Sequence, residues 1–168
     1  MELQLNRIPE YYHKYVNLVH EKELKQAFDA HQHELLNILK DLPAEKWDHS
    51  YAPGKWSIKE MVQHIIDTDR VFNYRALSFS RGDNTPLPGF DEVPYAANSE
   101  ANRRTGTELM EELKAVQLSE ALMFASFSDT QLERSGVAND NEVYVRGIGF
   151  IIVGHTRHHL NVLKERYL

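Results

Sequence analysis

Four long segments in which apolar residues recur every three or four positions constrain the fold of this chain most strongly. This spacing is typical of amphipathic helices, and strand-like alternation is nearly absent. The predicted helices run from about 21 to 41, 57 to 81, 107 to 126 and 144 to 167. The 168 residues contain no internal repeat or linker-like stretch, which predicts a single domain over 1–168. We therefore expect an all-α fold, a four-helix bundle with a long crossover loop between helices 2 and 3.

Local capping signals support two of these helix starts. Ser57 and Glu60 have the spacing of a capping box before the second helix, and Thr105 and Glu108 have the same spacing before the third. Residues 128–133 are predicted to add one short helical turn. Between the second and third helices, residues 81–104 form an unusually long connection with two prolines in its centre, and such loops are often functional. We expect Phe90 and Tyr95 of this connection to shape a pocket.

Composition excludes several classes of function. The chain has no cysteine, so it lacks disulfides, thiolate zinc sites, iron–sulfur clusters and a cysteine nucleophile. A net charge of −6 without a basic cluster argues against nucleic-acid binding. Neither a signal peptide nor an apolar run long enough to span a membrane is found, so a cytoplasmic protein without membrane association is expected.

The fourth predicted helix carries the most informative residues. His155 and His159 are four positions apart, one turn above the other, near the middle of its apolar face. Burying two imidazoles is costly unless their nitrogens find partners. A metal ion would be such a partner, and neutral imidazole suits zinc, nickel, copper or iron. Two core histidines bound to carbonyl groups or water remain the alternative. Glycines in the same helix, at 147, 149 and 154, predict a close approach of other groups.

A third ligand has to come from another helix, and His64 on the second helix is the best candidate. Three histidines leave one or more positions open for water or substrate, as in catalytic rather than structural sites. Such a metal could acidify bound water or stabilise a bound thiolate. His31, which lies on the core face of the first helix, is a reserve ligand, although a core role is the more frequent one for such a residue.

Other patterns in the sequence give weaker indications of function. The pair of histidines has the spacing of the H-E-x-x-H metalloprotease motif, but Thr156 occupies the position of its glutamate, so the built-in general base is missing. His158 falls near the boundary of the apolar face. Asp69 lies mid-face on the second helix, where a buried ion pair is the common explanation and a contact to a metal-bound histidine the rarer one.

The order of these motifs resembles a known family. The stretch from Tyr51 through Trp56-Ser-Ile-Lys-Glu-Met-Val-Gln-His64, followed downstream by Gly154-His-Thr-Arg-His-His-Leu, is similar to the DinB/YfiT-like superfamily. The resemblance extends over nearly the whole chain and implies a four-helix bundle with a three-histidine metal site. It implies His64, His155 and His159 as the metal ligands and His158 as a non-ligand. It also implies a homodimer and an activity as a metal-dependent hydrolase or as a transferase or isomerase that uses a low-molecular-weight thiol.

These inferences lead to one main hypothesis and two alternatives. The main hypothesis is a metalloenzyme with zinc or nickel, acting on a small-molecule substrate as a thiol-dependent S-transferase or a hydrolase. The nucleophile would then be a metal-bound water or a thiolate, and no protein general base can be assigned. The first alternative is a non-catalytic helical dimer with a structural or sensory metal, whose fourth ligand would be His158 or an acidic side chain. The second is an interaction bundle that binds no metal.

Overall fold

The computed structural model describes residues 3–168. Its helices, in chain order, are α1 (His13–Val16), α2 (Leu24–Leu39), α3 (Ile58–Ser80), α4 (Glu92–Asn98), α5 (Gly106–Ala125), α6 (Asp129–Leu132) and α7 (Val145–Arg166). The four long helices α2, α3, α5 and α7 are the predicted ones, and each end lies within three residues of its predicted position.

The four long helices pack as a bundle in which α2 and α3 each contact both α5 and α7. Helices α2 and α3 therefore face each other diagonally, although they follow one another in the chain. Helix α7, which carries two of the candidate histidines, is a direct neighbour of α3, which carries the third. The four-helix-bundle prediction is confirmed, and this arrangement brings the two histidine-bearing helices together.

The predicted capping boxes are present at the starts of α3 and α5. At α3 the hydroxyl of Ser57 accepts from the Glu60 amide at 3.1 Å, while the Ser57 amide donates to the Glu60 carboxylate at 2.7 Å. Thr105 and Glu108 form the same pair of bonds before α5. Each box satisfies backbone amides that the first helical turn leaves unpaired, and so fixes where the helix begins. The short turn predicted for residues 128–133 is α6.

Residues 135–144 form a small hairpin that the sequence pattern did not predict. Strand β1 (Ser135–Ala138) pairs antiparallel with β2 (Asn141–Tyr144), and Gly136 lies opposite Val143. The turn residues Asn139 and Asp140 have φ values of 50° and 58°, as a tight hairpin turn requires. Strands of four residues are too short to show a clear alternation. The hairpin also anchors the long connection, because the Leu87 amide donates to the carbonyl of Val137 at 2.9 Å.

The interior of the bundle consists of two apolar clusters separated by buried polar residues. One cluster contains Phe28, Phe72, Phe124 and Ile148, and the other contains Leu35, Ile65, Leu113 and Leu163. On each long helix a buried polar side chain interrupts the apolar series between the two clusters. We call this set the polar layer: His31, Asp69, Gln117, Glu120 and Thr156. None of the helices within residues 3–168 has the length and apolar character that a membrane span requires.

Candidate metal centre

The structure brings His64, His155 and His159 together at one point. Nε2 of His155 lies 3.1 Å from Nε2 of His64 and 3.1 Å from Nε2 of His159. One ring nitrogen from each of the three residues lies within 4.8 Å of the other two. His64 and His155 are buried, and His159 is partly buried. Two adjacent helices thus direct three imidazoles at a common centre, which we call the histidine triad.

This arrangement of nitrogens fits a divalent metal. Two ligand nitrogens bound to one zinc ion at tetrahedral angles would lie about 3.3 Å apart, close to the distances found. Without a cation, the Nε2 of His155 faces two other ring nitrogens, whereas a neutral imidazole nitrogen can only donate or accept once. Among the described residues, no backbone carbonyl accepts a hydrogen bond from the triad, and the buried Nδ1 of His155 has no partner. The rings are therefore not arranged like core histidines bound to carbonyl groups.

The charge state of the triad suits metal binding. Burial, with a smaller contribution from His158, lowers the pKa of His64 to about 4. Burial also holds the pKa values of His155 and His159 well below the usual range, and the neighbouring imidazoles add to the effect. All three rings are therefore neutral near pH 7, and a neutral imidazole is the form that donates its lone pair to a metal.

Side chains from α3 itself, from the segment just before it and from α1 hold the triad rings. The Trp56 ring packs on His64 with 4.7 Å between centroids, and the Thr68 hydroxyl lies 3.5 Å from His64 Nδ1, at the outer limit of a hydrogen bond. Tyr15 of α1 contacts His155 edge-on at 5.4 Å. Neither Tyr15 nor Thr68 was predicted from the sequence. The position of Thr68, four residues after His64 on one helix face, was the available signal for the latter.

Gly154 explains how α1 comes so close to the triad. A Cβ atom at this position would overlap the backbone carbonyl of Tyr15. The prediction that glycines of the fourth helix permit close approach is confirmed at Gly154, and at 147 and 149 apolar or aromatic side chains occupy the space. Only a residue without a side chain lets α1 lie directly against α7.

The triad opens into a cavity of about 470 Å³. Aromatic side chains form much of its wall: Tyr11, Tyr12, Tyr15, Trp56, Phe72 and Phe90. Phe90 comes from the long connection, as predicted. Tyr95 does not line this cavity itself: it lines a separate cleft beside Asp67 and Arg70. Its ring packs edge-on against that of Phe90 with 5.3 Å between centroids, so it shapes the cavity only through Phe90. A cavity of this size suits a small organic molecule.

The remaining candidates lie outside the triad. His158 lines the cavity, with its ring centroid 5.1 Å from that of His159, but its nitrogens do not join the group of ligand atoms. No acidic oxygen of the described residues joins that group either. His31 is fully buried in the polar layer beside Glu120. Asp69 forms neither an ion pair nor a hydrogen bond to the triad, so both explanations offered for it were wrong; its oxygens have no partner among the described residues.

Comparison with known proteins gives a family match and several relatives. The sequence model of the DinB superfamily matches residues 27–163. A protein of Oceanobacillus iheyensis, named a "putative metal-dependent hydrolase", is 27% identical over 78% of this chain and 74% of its own length. A Bacillus licheniformis protein of the same name is 24% identical over 84% of this chain and 80% of its own.

A solved structure shares the fold. YfiT from Bacillus subtilis, described as a probable metal-dependent hydrolase with an unusual four-helix bundle topology, superposes with a TM-score of 0.75 at 15% identity. The match covers 98% of this chain and 90% of YfiT.

Proposed function

Because this chain belongs to the DinB superfamily, we propose that it is a metal-dependent hydrolase that acts on a small molecule. One observation carries the proposal: three neutral imidazole nitrogens meet at one point on the wall of an open cavity. The names of the two curated relatives support the reaction class.

His64, His155 and His159 would hold the metal, and three neutral imidazoles suit zinc or nickel. A divalent metal supplies a Lewis acid that polarises a substrate oxygen and lowers the pKa of a water molecule. Three protein ligands, with no fourth among the described residues, leave a position open on the cavity side. An open position favours a catalytic role over the structural or sensory role considered above, which needs a closed ligand set.

His158 is the residue we infer to accept a proton during hydrolysis. Its ring lines the cavity next to His159 and contacts Tyr15 at 5.3 Å. Partial burial, together with the nearby Lys14, lowers the pKa of His158, so the ring is neutral at pH 7 and has a free lone pair. A general base of this kind contributes roughly 100- to 10,000-fold to a rate.

The cavity wall suggests the class of substrate. Aromatic rings cover its sides, and Arg75, which is 4% exposed, adds one cation beside the acidic side chains of Glu10 and Glu92. We infer a small, partly apolar ester or amide. Thiol-dependent S-transfer is the second candidate, because a chain without cysteine has to take any sulfur nucleophile from a soluble thiol.

One set of assays tests both candidates. Metal-loaded and chelator-treated protein are screened against small esters and amides, and against electrophiles with and without a bacterial thiol. We expect metal-dependent ester or amide cleavage without a thiol. His155→Ala should lose both the triad metal and the activity, whereas His158→Gln should keep the metal and lose the activity. Turnover that needs a thiol would replace hydrolysis by transfer, and a metal-loaded protein inactive in every assay would contradict an enzymatic function.

A further inference from the structure

The polar layer contains a second group of ligand-type side chains, contributed by three helices. Nε2 of His31 on α2 lies 3.2 Å from Oε1 of Glu120 on α5. One ligand atom each from His31, Glu120 and Asp69 of α3 lies within 4.8 Å of the other two. All three residues are at most 1% exposed. None of them belongs to the histidine triad.

Several buried polar atoms of the polar layer have no hydrogen-bond partner among the described residues. They include both carboxylate oxygens of Asp69, Nδ1 of His31 and both amide atoms of Gln117. Buried polar groups in folded proteins nearly always find partners, and an unpaired one costs at least about 1–3 kcal/mol. Asp69 is 0% exposed, so its two oxygens need a partner from outside the chain, a buried water or a bound ion.

The charges of the group point to a cation. Glu120 accepts a hydrogen bond from Asn73 at 3.3 Å, and no lysine or arginine of the described residues pairs with Glu120 or Asp69. Burial raises the pKa of both carboxyl groups, that of Glu120 to about 8. These raised pKa values favour the protonated, uncharged carboxyl groups when no cation is bound. A divalent cation that displaced the two protons would meet two carboxylates and a neutral imidazole, whose charge of −2 balances its own.

We propose that His31, Asp69 and Glu120 form a second metal site inside the bundle, one that binds a divalent cation such as Mn²⁺ or Fe²⁺. One imidazole with two carboxylates is a harder ligand set than three imidazoles, and suits these ions. Metal sites in helical bundles are commonly built in this way, from inward side chains of facing helices.

The second site is distinct from the triad. Asp69 follows His64 by five residues on α3, so the two side chains leave the helix in directions about 140° apart. A cation in the polar layer would join α2, α3 and α5 at mid-height of the bundle. Since the site is closed to solvent, the ion would bind during folding and stabilise the folded chain.

Manganese content of the full-length protein tests this site. The chain is produced in manganese-supplemented medium, and separately refolded from urea with Mn²⁺, and free metal is then removed by gel filtration. Elemental analysis gives manganese per chain, and electron paramagnetic resonance reports whether the ion is immobilised. The matched variants are Asp69→Asn, which keeps the shape of the side chain, and His155→Ala, which removes a triad ligand.

We expect about one immobilised manganese per chain in the wild type and in His155→Ala, and loss of this ion in Asp69→Asn. Glu120→Gln should give the same loss as Asp69→Asn. Equal manganese in Asp69→Asn and wild type, or none in the wild type by either route, would overturn the proposal and leave the layer a protonated polar cluster. If both layer variants fail to fold, His155→Ala decides alone, since bound manganese there supports the site and its absence refutes it.

Discussion

The Nε2 atoms of His64 and His155 lie 3.1 Å apart, although 91 positions separate the two residues in the chain. This contact joins α3 to α7 at a point where both rings are buried. A pair of imidazoles in this position stays neutral in the folded protein, which makes the metal-free state sensitive to acid.

The first prediction concerns this acid sensitivity. Unfolded histidine binds a proton near pH 6.5, whereas folded His64 does so only near pH 4. Unfolding therefore takes up a proton between these values, so stability is complete above pH 6.5 and falls as the pH drops toward 4. For the metal-free protein we expect a slope of roughly 1.4 kcal/mol per pH unit for each such histidine.

Urea unfolding across this pH range measures the slope. His64→Gln should make it shallower, whereas the control His33→Gln, at an exposed position of α2, should leave it unchanged. Identical slopes in wild type and His64→Gln would contradict the burial of a neutral ring.

The second prediction is that Gly154→Ala pushes α1 away from α7. The added methyl group would overlap the backbone of Tyr15, which cannot rotate aside as a side chain can. We expect the free energy of unfolding to fall by about 1–3 kcal/mol, as at other overpacked sites. We also expect weaker metal binding at the triad, because Tyr15 no longer supports His155.

Gly149→Ala is the matched control on the same helix. Its methyl group would first meet the flexible ends of the Leu24 side chain. We therefore expect a smaller loss of stability, measured by thermal unfolding, and an unchanged zinc affinity, measured by titration calorimetry. Equal effects of the two variants would show that contact with the α1 backbone is not the cause.

The third prediction concerns Arg75, which ties the long connection to the bundle. Its Nη2 donates to the carbonyl of Pro88 at 3.0 Å. Arg75→Met keeps much of the side-chain volume but removes the donor. Since a hydrogen bond to a charged group contributes about 1.5–3 kcal/mol, backbone amides around Leu87 should exchange at least about tenfold faster.

Hydrogen exchange followed by mass spectrometry measures the exchange rates of these amides directly. Arg81→Met is the control, because Arg81 begins the same connection but packs against Phe127 instead. Unchanged exchange at Leu87 in Arg75→Met would mean that the hairpin alone holds the connection.

The fourth prediction concerns the ion pairs of Arg157, a charged residue of α7 that is only 8% exposed. Its guanidinium donates to Glu21 at 2.7 and 2.8 Å and to Glu34 at 2.7 and 2.9 Å. The hydrogen bond from Arg157 is the main reason that the pKa of Glu21 falls from 4.5 to about 2. The stabilisation that the Glu21 carboxylate gains from Arg157 is therefore fully present above pH 4.5 and is lost as the pH falls through about 2.

Glu21→Gln should lower the free energy of unfolding at neutral pH by about 1–3 kcal/mol and flatten the acid transition below pH 4.5. The control Asp29→Asn breaks the exposed ion pair with Lys25 and should lower the free energy of unfolding by less than about 0.5 kcal/mol. Comparable losses in both variants, by urea denaturation, would argue against a special role of Arg157.

Local signals account for what could be predicted from the sequence. The apolar spacing and the capping boxes at Ser57 and Thr105 are set by residues within one or two turns, so helix positions follow from the sequence. The pairing of His155 with His159 is equally local. That His64 meets them depends on α3 packing beside α7, which the sequence could indicate only through its helix face and the family resemblance.

Features that depend on distant contacts could not be predicted in the same way. Tyr15 reaches the triad only because Gly154 admits α1, and nothing in residues 9–15 signals this. Tyr95 was expected to shape the pocket, but it lines a different cleft and touches the cavity wall only through Phe90. Asp69 and His31 are far apart in sequence, and only the bundle brings their side chains beside Glu120.

In this fold, the short stretch before α2 lines the cavity, while other segments of the chain carry the metal ligands. Residues 9–12 form part of one side of the cavity, yet they contribute nothing to the ligand set on α3 and α7. Exchange of this stretch between relatives would therefore alter which molecules enter while sparing the chemistry at the histidines. Engineering of new selectivity in this scaffold should begin there.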